Sequence, residues 1–490
     1  MIKNPQHVIG APHNVHGEIV LINPPMRMDQ VYGEFSEWGS ISPPTGLCYI
    51  AALLRKHGHT VSIIDAEALH WDTEKTVAAV LDRNPLLVGI ACKSLWMPSA
   101  ALVAAALNTK RPSLPIFAGG NHVTALPERT LEENPAILGI IIGEGEITFL
   151  ELVEALKNGH DWSSIAGLAL RIDGKPVRTQ PRTRIFDLDE LPAPAFDLLP
   201  DLTTHYRPPL NLVDKTPAFS LLTSRGCPSK CTFCDRSVFE NRVTGHSPEY
   251  MMEIIRNLHQ QYGVCYLLFD DDNLLIRKDK LFRLLDLIEE SGLGIQFNCQ
   301  SRVDTITEEV LIRLKQAGCR RVLFGIESGS PDILKAMQKR ISTEQIIRAV
   351  NMTQSAGLMA LGYFILGYPG ETEETLKETV KLIRKSTFDD VAVFFFTPLP
   401  GSEAYSLVVN NPEKGIYQED WAKGNSLEHV VYIPTGLNEQ ILKQYMDKCY
   451  SACYLRPRQV AGLLRRCPSK EHFKAVTTSV GRMLRKLVPL

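Results

Sequence analysis

Three thiols stand close together in the middle of the chain. Cys227, Cys231 and Cys234 fall in the run T-S-R-G-C-P-S-K-C-T-F-C-D-R, from Thr223 to Arg236, with the spacing C-x3-C-x2-C. Thiolates are soft ligands, and a short loop that gathers them suits an iron–sulfur cluster. Three ligands on a four-iron cluster leave one iron free to hold a substrate or a cofactor. A structural zinc loop is the competing reading, and zinc would want a fourth Cys or His nearby. The nearest histidine, His246, lies twelve residues beyond Cys234, and the chain has no second C-x2-C. Gly226 and Pro228 flank the first cysteine, so the loop opens on a break in regular structure.

At these residues the sequence resembles the radical S-adenosylmethionine (SAM) superfamily. The resemblance implies that Cys227, Cys231 and Cys234 hold a [4Fe-4S] cluster, that SAM chelates the fourth iron, and that Phe233 lies by the adenine. It also implies the chemistry: one electron passes from the cluster to SAM, and a 5′-deoxyadenosyl radical takes a hydrogen atom from an unactivated carbon. The protein's part is to orient the reactants and exclude water.

The elements that must position this loop are legible on both sides of it. From residue 218 to 400, apolar runs alternate with helical patterns. Strands are expected at 218–222, 264–269, 295–298, 321–326, 360–366 and 391–396. Six strand–helix units suggest an open parallel barrel, the fold of the resembling family, whose strand ends would carry the site. Those ends are Asp270–Asp272, Cys299–Arg302, Glu327–Ser330, Gly367–Gly370 and Thr397–Gly401. Adjacent carboxylates repel, so Asp270 to Asp272 should face cations or donors; by resemblance Asp271 meets the SAM ammonium. Arg302 offers a planar fork for a carboxylate, and Glu327 matches a family glutamate near SAM. Gly367 permits close backbone approach or simply a tight turn. Cys299 reads as a buried structural thiol rather than a hydrogen-atom donor.

Residues 1–158 read as a doubly wound, Rossmann-like parallel sheet, with strands at 18–22, 61–64, 86–91, 115–118 and 137–142. Ligands on such sheets sit at the carboxyl ends of strands. This part resembles the cobalamin-binding domain of one radical SAM subgroup, through Asn23-Pro24-Pro25, Gly119-Gly120-Asn121-His122 and Gly143-Glu144-Gly145-Glu146. Cobalamin contacts are therefore expected at Asn23, Gly119, Gly120, His122, Gly143, Glu144 and Gly145. Asp65 and His70 are five apart with no glycine in the place of a D-x-H-x-x-G motif, so no histidine ligand to cobalt is expected. The loop Cys92 to Met97 is the candidate for the corrin's lower face. Residues 159–217 read as a hairpin, turning at Asp173-Gly174, and a proline-rich linker. Residues 401–490 read as a helical, basic region.

The fold class expected is thus α/β: a Rossmann-like domain, a partial (β/α)6 barrel and a helical C-terminal region. Composition is that of a soluble protein, and a net charge of −2 gives no reason to expect nucleic acid. No run of eighteen apolar residues and no signal peptide appear, and eleven cysteines then point to reduced thiols in the cytoplasm. Phe473, Val476, Val480, Met483, Leu484 and Leu487 fall near one face of a basic helical segment, which would pack on the protein or lie peripherally on an anionic membrane. Cys449, Cys453 and Cys467 read as helix thiols rather than a second cluster. The function expected is cobalamin-dependent radical SAM C-methylation of a lipid, tetrapyrrole or natural product. The alternatives are an oxidative cyclase with the same cofactors and a non-catalytic iron–sulfur and corrinoid sensor. A small molecule or lipid as substrate and flavodoxin or ferredoxin as electron donor complete the expected partners.

Overall fold

A computed structural model describes residues 17–33, 36, 39–209, 212–424 and 427–456. Seven strands form the first sheet: β1 (Glu18–Asn23), β2 (Val61–Asp65), β3 (Pro85–Ala91), β4 (Ile116–Gly119), β5 (Gly139–Ile141), β6 (Leu168–Ile172) and β7 (Lys175–Arg178). Their spatial order is β2-β1-β3-β4-β5-β6-β7. The first five are parallel and the last two antiparallel. The middle of strand β1, Ile19 to Ile22, is apolar because both faces are covered. Ile19 and Leu21 join the core under helices Thr45–Lys56 and Glu146–Asn158, whereas Val20 and Ile22 join the core under Thr73–Asp82 and Met97–Lys110. Strand order reverses between β1 and β3, which opens a crevice at their carboxyl ends. The hairpin expected in the connector adds to the far edge of this sheet.

The second sheet begins with β8 (Ala218–Leu221). A ribbon of β9 (Ser224–Arg225) against β10 (Thr244–Gly245) then brackets the cysteine loop. The sheet continues through β11 (Tyr266–Phe269), β12 (Gln296–Ser301), β13 (Cys319–Glu327), β14 (Met359–Leu366) and β15 (Asp390–Phe395). All its pairs are parallel and their spatial order follows the chain. Right-handed crossovers that always advance in one direction put every helix on one face, and the sheet curls into a partial barrel. Phe219, Leu221, Phe269, Phe297, Phe324 and Phe364 pack under those helices, while Tyr266, Leu268, Leu323 and Leu361 face inward. Leu212 and Val213 plug the lower end of this inner face. The carbonyl of Leu212 accepts bonds from Asn298 and Arg321, and Arg321 also pairs with Asp214 at 2.6 Å.

The proline-rich passage is a packed joint. Leu188, Leu191, Ala195, Phe196 and Tyr206 are buried in one core that spans both sheets, and Phe196 meets Phe219 edge to face at 5.0 Å. The C-terminal region contains helix Glu403–Asn410, a small hairpin of β16 (Gly415–Tyr417) and β17 (Tyr432–Pro434), and helix Glu439–Tyr454. That last helix covers the otherwise open edge of β15, where the Val393 N–H donates to Tyr450 Oη. Cys449 and Cys453 are fully buried in its packed face. Cys467 and the basic segment through Leu487 lie outside the described residues. Among the described residues no helix is long and apolar enough to cross a membrane.

Candidate active site

The cysteine loop leaves the carboxyl end of β8, and its root is clamped. Asp271, at the end of β11, is fully buried and accepts bonds from the Thr223 N–H and hydroxyl and from the Ser224 hydroxyl. Burial raises its pKa, and these donors oppose the rise. Its carboxylate is thus occupied by the loop's own root. Gly226 is left-handed at φ +85°, and a Cβ there would come within 2.2 Å of the Arg242 carbonyl, so only glycine fits. Beyond the root, the Thr232 N–H donates to the Met337 carbonyl at 3.0 Å, its hydroxyl meets Tyr368 Oη at 2.7 Å, and its carbonyl accepts from the Ala404 N–H. The loop is therefore tied to the strand-end segments after β13, β14 and β15.

Cys231 is buried, Cys227 half-buried and Cys234 exposed. The hydrogen bond from Cys234 lowers Cys231 below the ordinary thiol range, with the charges of Lys339 and Arg302 adding to the effect. Three thiols gathered on one short loop are the soft donors that an iron–sulfur cluster takes, so this donor set fits one.

Around Cys231 stand three charged groups, one from the end of β12 and two from the end of β13 and the segment that follows it. Arg302 follows β12; its Nη1 lies 3.8 Å from Cys231 Sγ, its Nη2 donates to the Lys339 carbonyl, and its Nε and Nη2 both bond Asp304 at 2.9 Å. Glu327 ends β13 with φ +70°, a conformation that a non-glycine residue holds only under constraint. Its Oε1 accepts from Lys339 Nζ at 2.6 Å, with both side chains nearly buried. Lys339 Nζ also lies 5.7 Å from the Phe233 ring centre. Phe233, Arg302, Glu327 and the cysteines are thus brought together. Gly367 lies in a left-handed turn closed by its N–H donating to Glu371, and a Cβ there would meet Leu442 at 3.3 Å. Cys299 faces the helical layer beside Cys319, away from the inner face of the barrel.

The strand ends of the first sheet differ in character. Gly143 is left-handed at φ +79° with open space where a Cβ would project, and Gly119 is nearly as open. Such bare backbone at the carboxyl ends of parallel strands fits a broad, flat cofactor such as a corrinoid. Gly120 answers a packing need, since a Cβ would approach the Cys92 carbonyl at 2.6 Å. Asn23 donates to Asp65 at 2.8 Å and Glu67 at 3.1 Å, and Tyr206 and Trp96 complete that buried network. His122 is buried between Ser94, 3.1 Å from its Nδ1, and the edge of Trp421. Burial pushes its imidazole down to about 4, so it stays neutral. His70 is exposed. Glu144 is buried, with Oε2 accepting from the Ile185 N–H at 3.0 Å and Oε1 from Arg225 at 2.8 Å.

Three participants escaped the sequence reading. Lys339 sits between Gln338 and Arg340 in what reads as a solvated run, and nothing in the sequence marks it as the buried partner of Glu327. Arg225 and Glu146 lie inside the cysteine and glycine motifs, whose spacing carries no mark of either side chain's partner. Their pairing at 2.6 Å joins residues 79 apart in sequence.

A family model described as the radical SAM superfamily matches residues 221–383, and one described as the B12 binding domain matches residues 35–153. An uncharacterized methyltransferase of Pyrococcus horikoshii is 37% identical over 421 residues, which cover 86% of this chain and 89% of that one. The anaerobic magnesium-protoporphyrin IX monomethyl ester cyclase of Rubrivivax gelatinosus is 28% identical, over 74% of this chain and 66% of that one. Among solved structures, the radical SAM methyltransferase TsrM of Kitasatospora setae, with cobalamin and a [4Fe-4S] cluster bound, has the same fold. It aligns with a TM-score of 0.70 at 16% identity, over 91% of this chain and 90% of that one.

Proposed function

The chain belongs to the radical SAM superfamily, in the group that carries a B12 binding domain, and from this premise we propose that it methylates an unactivated carbon of a small molecule. When bound, the cluster supplies an electron to SAM, and cobalamin supplies a route for a methyl group. The chain's own residues do the rest. Cys227, Cys231 and Cys234 present the thiolates, with the cations Lys339 and Arg302 standing beside Cys231. Arg302 and the Glu327–Lys339 pair bind SAM beside Phe233. The open backbone at Gly119 and Gly143 receives the corrinoid, while the buried His122 stays neutral beside it. Asp271 acts one step back, by fixing the root of the cysteine loop. The Leu212–Asp214 plug closes the lower end of the barrel and keeps water from its inner face.

The observation that carries this reading is that one interface serves both halves: the cysteine loop at the carboxyl ends of the second sheet is bonded directly to a strand-end loop of the first. Oxidative cyclisation with the same cofactors is the second reading, favoured by the likeness to the Rubrivivax cyclase. The electron donor would be a small redox protein such as flavodoxin or ferredoxin. Reconstituted protein given SAM, hydroxocobalamin and a low-potential reductant separates the two readings. Methylation yields 5′-deoxyadenosine together with S-adenosylhomocysteine, since the methyl group comes from a second SAM. Release of 5′-deoxyadenosine without S-adenosylhomocysteine overturns methylation in favour of the cyclase.

A further inference from the structure

Three consecutive residues precede Gly226 and Cys227, and two different sheets hold them. Thr223 and Ser224 are bonded by Asp271 of the second sheet. Arg225, the next residue, turns the other way and enters the loop that follows β5 of the first sheet. Its Nη1 donates to Glu144 Oε1 at 2.8 Å and its Nη2 to Glu146 Oε1 at 2.6 Å. Side-chain exposure is 12% for Arg225, 4% for Glu144 and 5% for Glu146, so water screens these pairs little. Arg184 brings a second cation within 3.6 Å of Glu144 Oε2, which balances the two carboxylates. The face of Tyr49 lies 5.3 Å from the guanidinium carbon, and Tyr49 Oη is 3.0 Å from His246, which is anchored to Asp189. Two carboxylates two residues apart, meeting both arms of one guanidinium, fix its direction as well as its position, which a lysine could not reproduce.

The loop that supplies Glu144 and Glu146 also contains Gly143, whose open side was assigned to the corrinoid. The same short segment therefore faces a cofactor on one side and grips the root of the cysteine loop on the other. We propose that Arg225 is a positioning residue that couples the two cofactor sites: it transmits the placement of the Gly143–Glu146 loop to Cys227, so that loading of the cluster and binding of the corrinoid each favour the other. The inference rests on the two-cofactor reading above. Linkage makes the effect reciprocal, and a coupling of ordinary size changes affinity by about 5- to 150-fold.

The test uses the full chain and measures the affinity for hydroxocobalamin by absorbance, on cluster-free and on anaerobically reconstituted protein, in the absence of SAM. In the wild type, cluster loading tightens binding at least about fivefold. In Arg225→Lys, which keeps the charge but loses the fork, the two affinities converge to within about twofold. Glu144→Gln, whose amide oxygen can still accept from Ile185, behaves likewise and serves where Arg225→Lys does not retain four irons. A wild type whose affinity is the same with and without the cluster overturns the coupling, as do variants that keep the wild-type ratio. A wild type that binds no hydroxocobalamin in either form contradicts the two-cofactor reading itself, and the coupling falls with it.

Discussion

The two sheets end differently. The first presents bare backbone at its carboxyl ends: Gly119 and Gly143 leave space, and the polar side chains nearby, Asn23, Asp65, Glu67 and His122, are engaged with one another or with buried neighbours. The second presents charge: Arg302, Glu327 and Lys339 crowd around Cys231 with little water between them. The difference follows from what each end would hold. A large planar ligand is received by shape, through backbone that can be approached closely. A cluster with a small charged cosubstrate is received by electrostatics, which needs groups fixed in advance in a poorly screened place. Two carboxylates expected at cofactors, Asp271 and Glu144, are bonded to the root of the cysteine loop, each from its own side.

That contrast can be broken most severely on the charged side. Lys339→Met leaves Glu327 buried without its cation, a loss of roughly 3–5 kcal/mol. Thermal unfolding and iron content after reconstitution should both fall, while cluster-free protein that remains folded binds hydroxocobalamin as before. Asp271→Ala removes the acceptor for the Thr223 and Ser224 donors and should destabilise by about 3 kcal/mol, with iron retention falling more steeply than secondary structure by circular dichroism. On the other side, Gly143→Val adds a branched side chain at a left-handed position with open space before it. It should weaken hydroxocobalamin binding by about tenfold or more, with the iron content reduced by a smaller factor through the Arg225 coupling. If Gly143→Val instead lost iron and kept the corrinoid, the assignment of the two ends would be reversed.

The smallest expected effect sharpens the comparison at Gly367. Glu371, which closes that turn, is buried with Oε1 unpartnered, and burial raises its pKa to about 8. Its folded-state pKa therefore lies above its unfolded value, the folded state binds more protons between the two, and stability contributed by the neutral form is lost as pH rises from about 5 to about 8. Glu371→Gln is neutral throughout. Its melting temperature relative to the wild type should climb across that interval and level off above it; a difference independent of pH would mean that the carboxyl is ionised in the fold.

Much of this architecture is legible in the sequence because it depends on local pattern. Buried parallel strands read as apolar runs, and glycines mark their ends. The helices 248–262, 308–316 and 343–355 begin at caps that the sequence displays, Ser247, Thr307 and Ser342, each of whose side chains accepts from the first turn. Short helices such as Pro127–Glu133 and Pro331–Ala336 are too brief to show a period in the sequence. The cysteines announce themselves by spacing. Partners of side chains do not: nothing in Glu327 or Asp271 says whether its carboxylate meets a ligand, a lysine twelve residues on, or a loop root 48 residues back. Those outcomes depend on which strand ends the barrel brings side by side.

The claim that the whole account depends on is that the cysteine loop is a radical source. Anaerobically reconstituted protein, incubated with SAM and a low-potential reductant and sampled by liquid chromatography with mass spectrometry, tests it without knowledge of the substrate. The account predicts 5′-deoxyadenosine from the wild type and none from Cys231→Ala. A wild type with its full iron content that releases none, or a Cys231→Ala variant that releases as much, would contradict it.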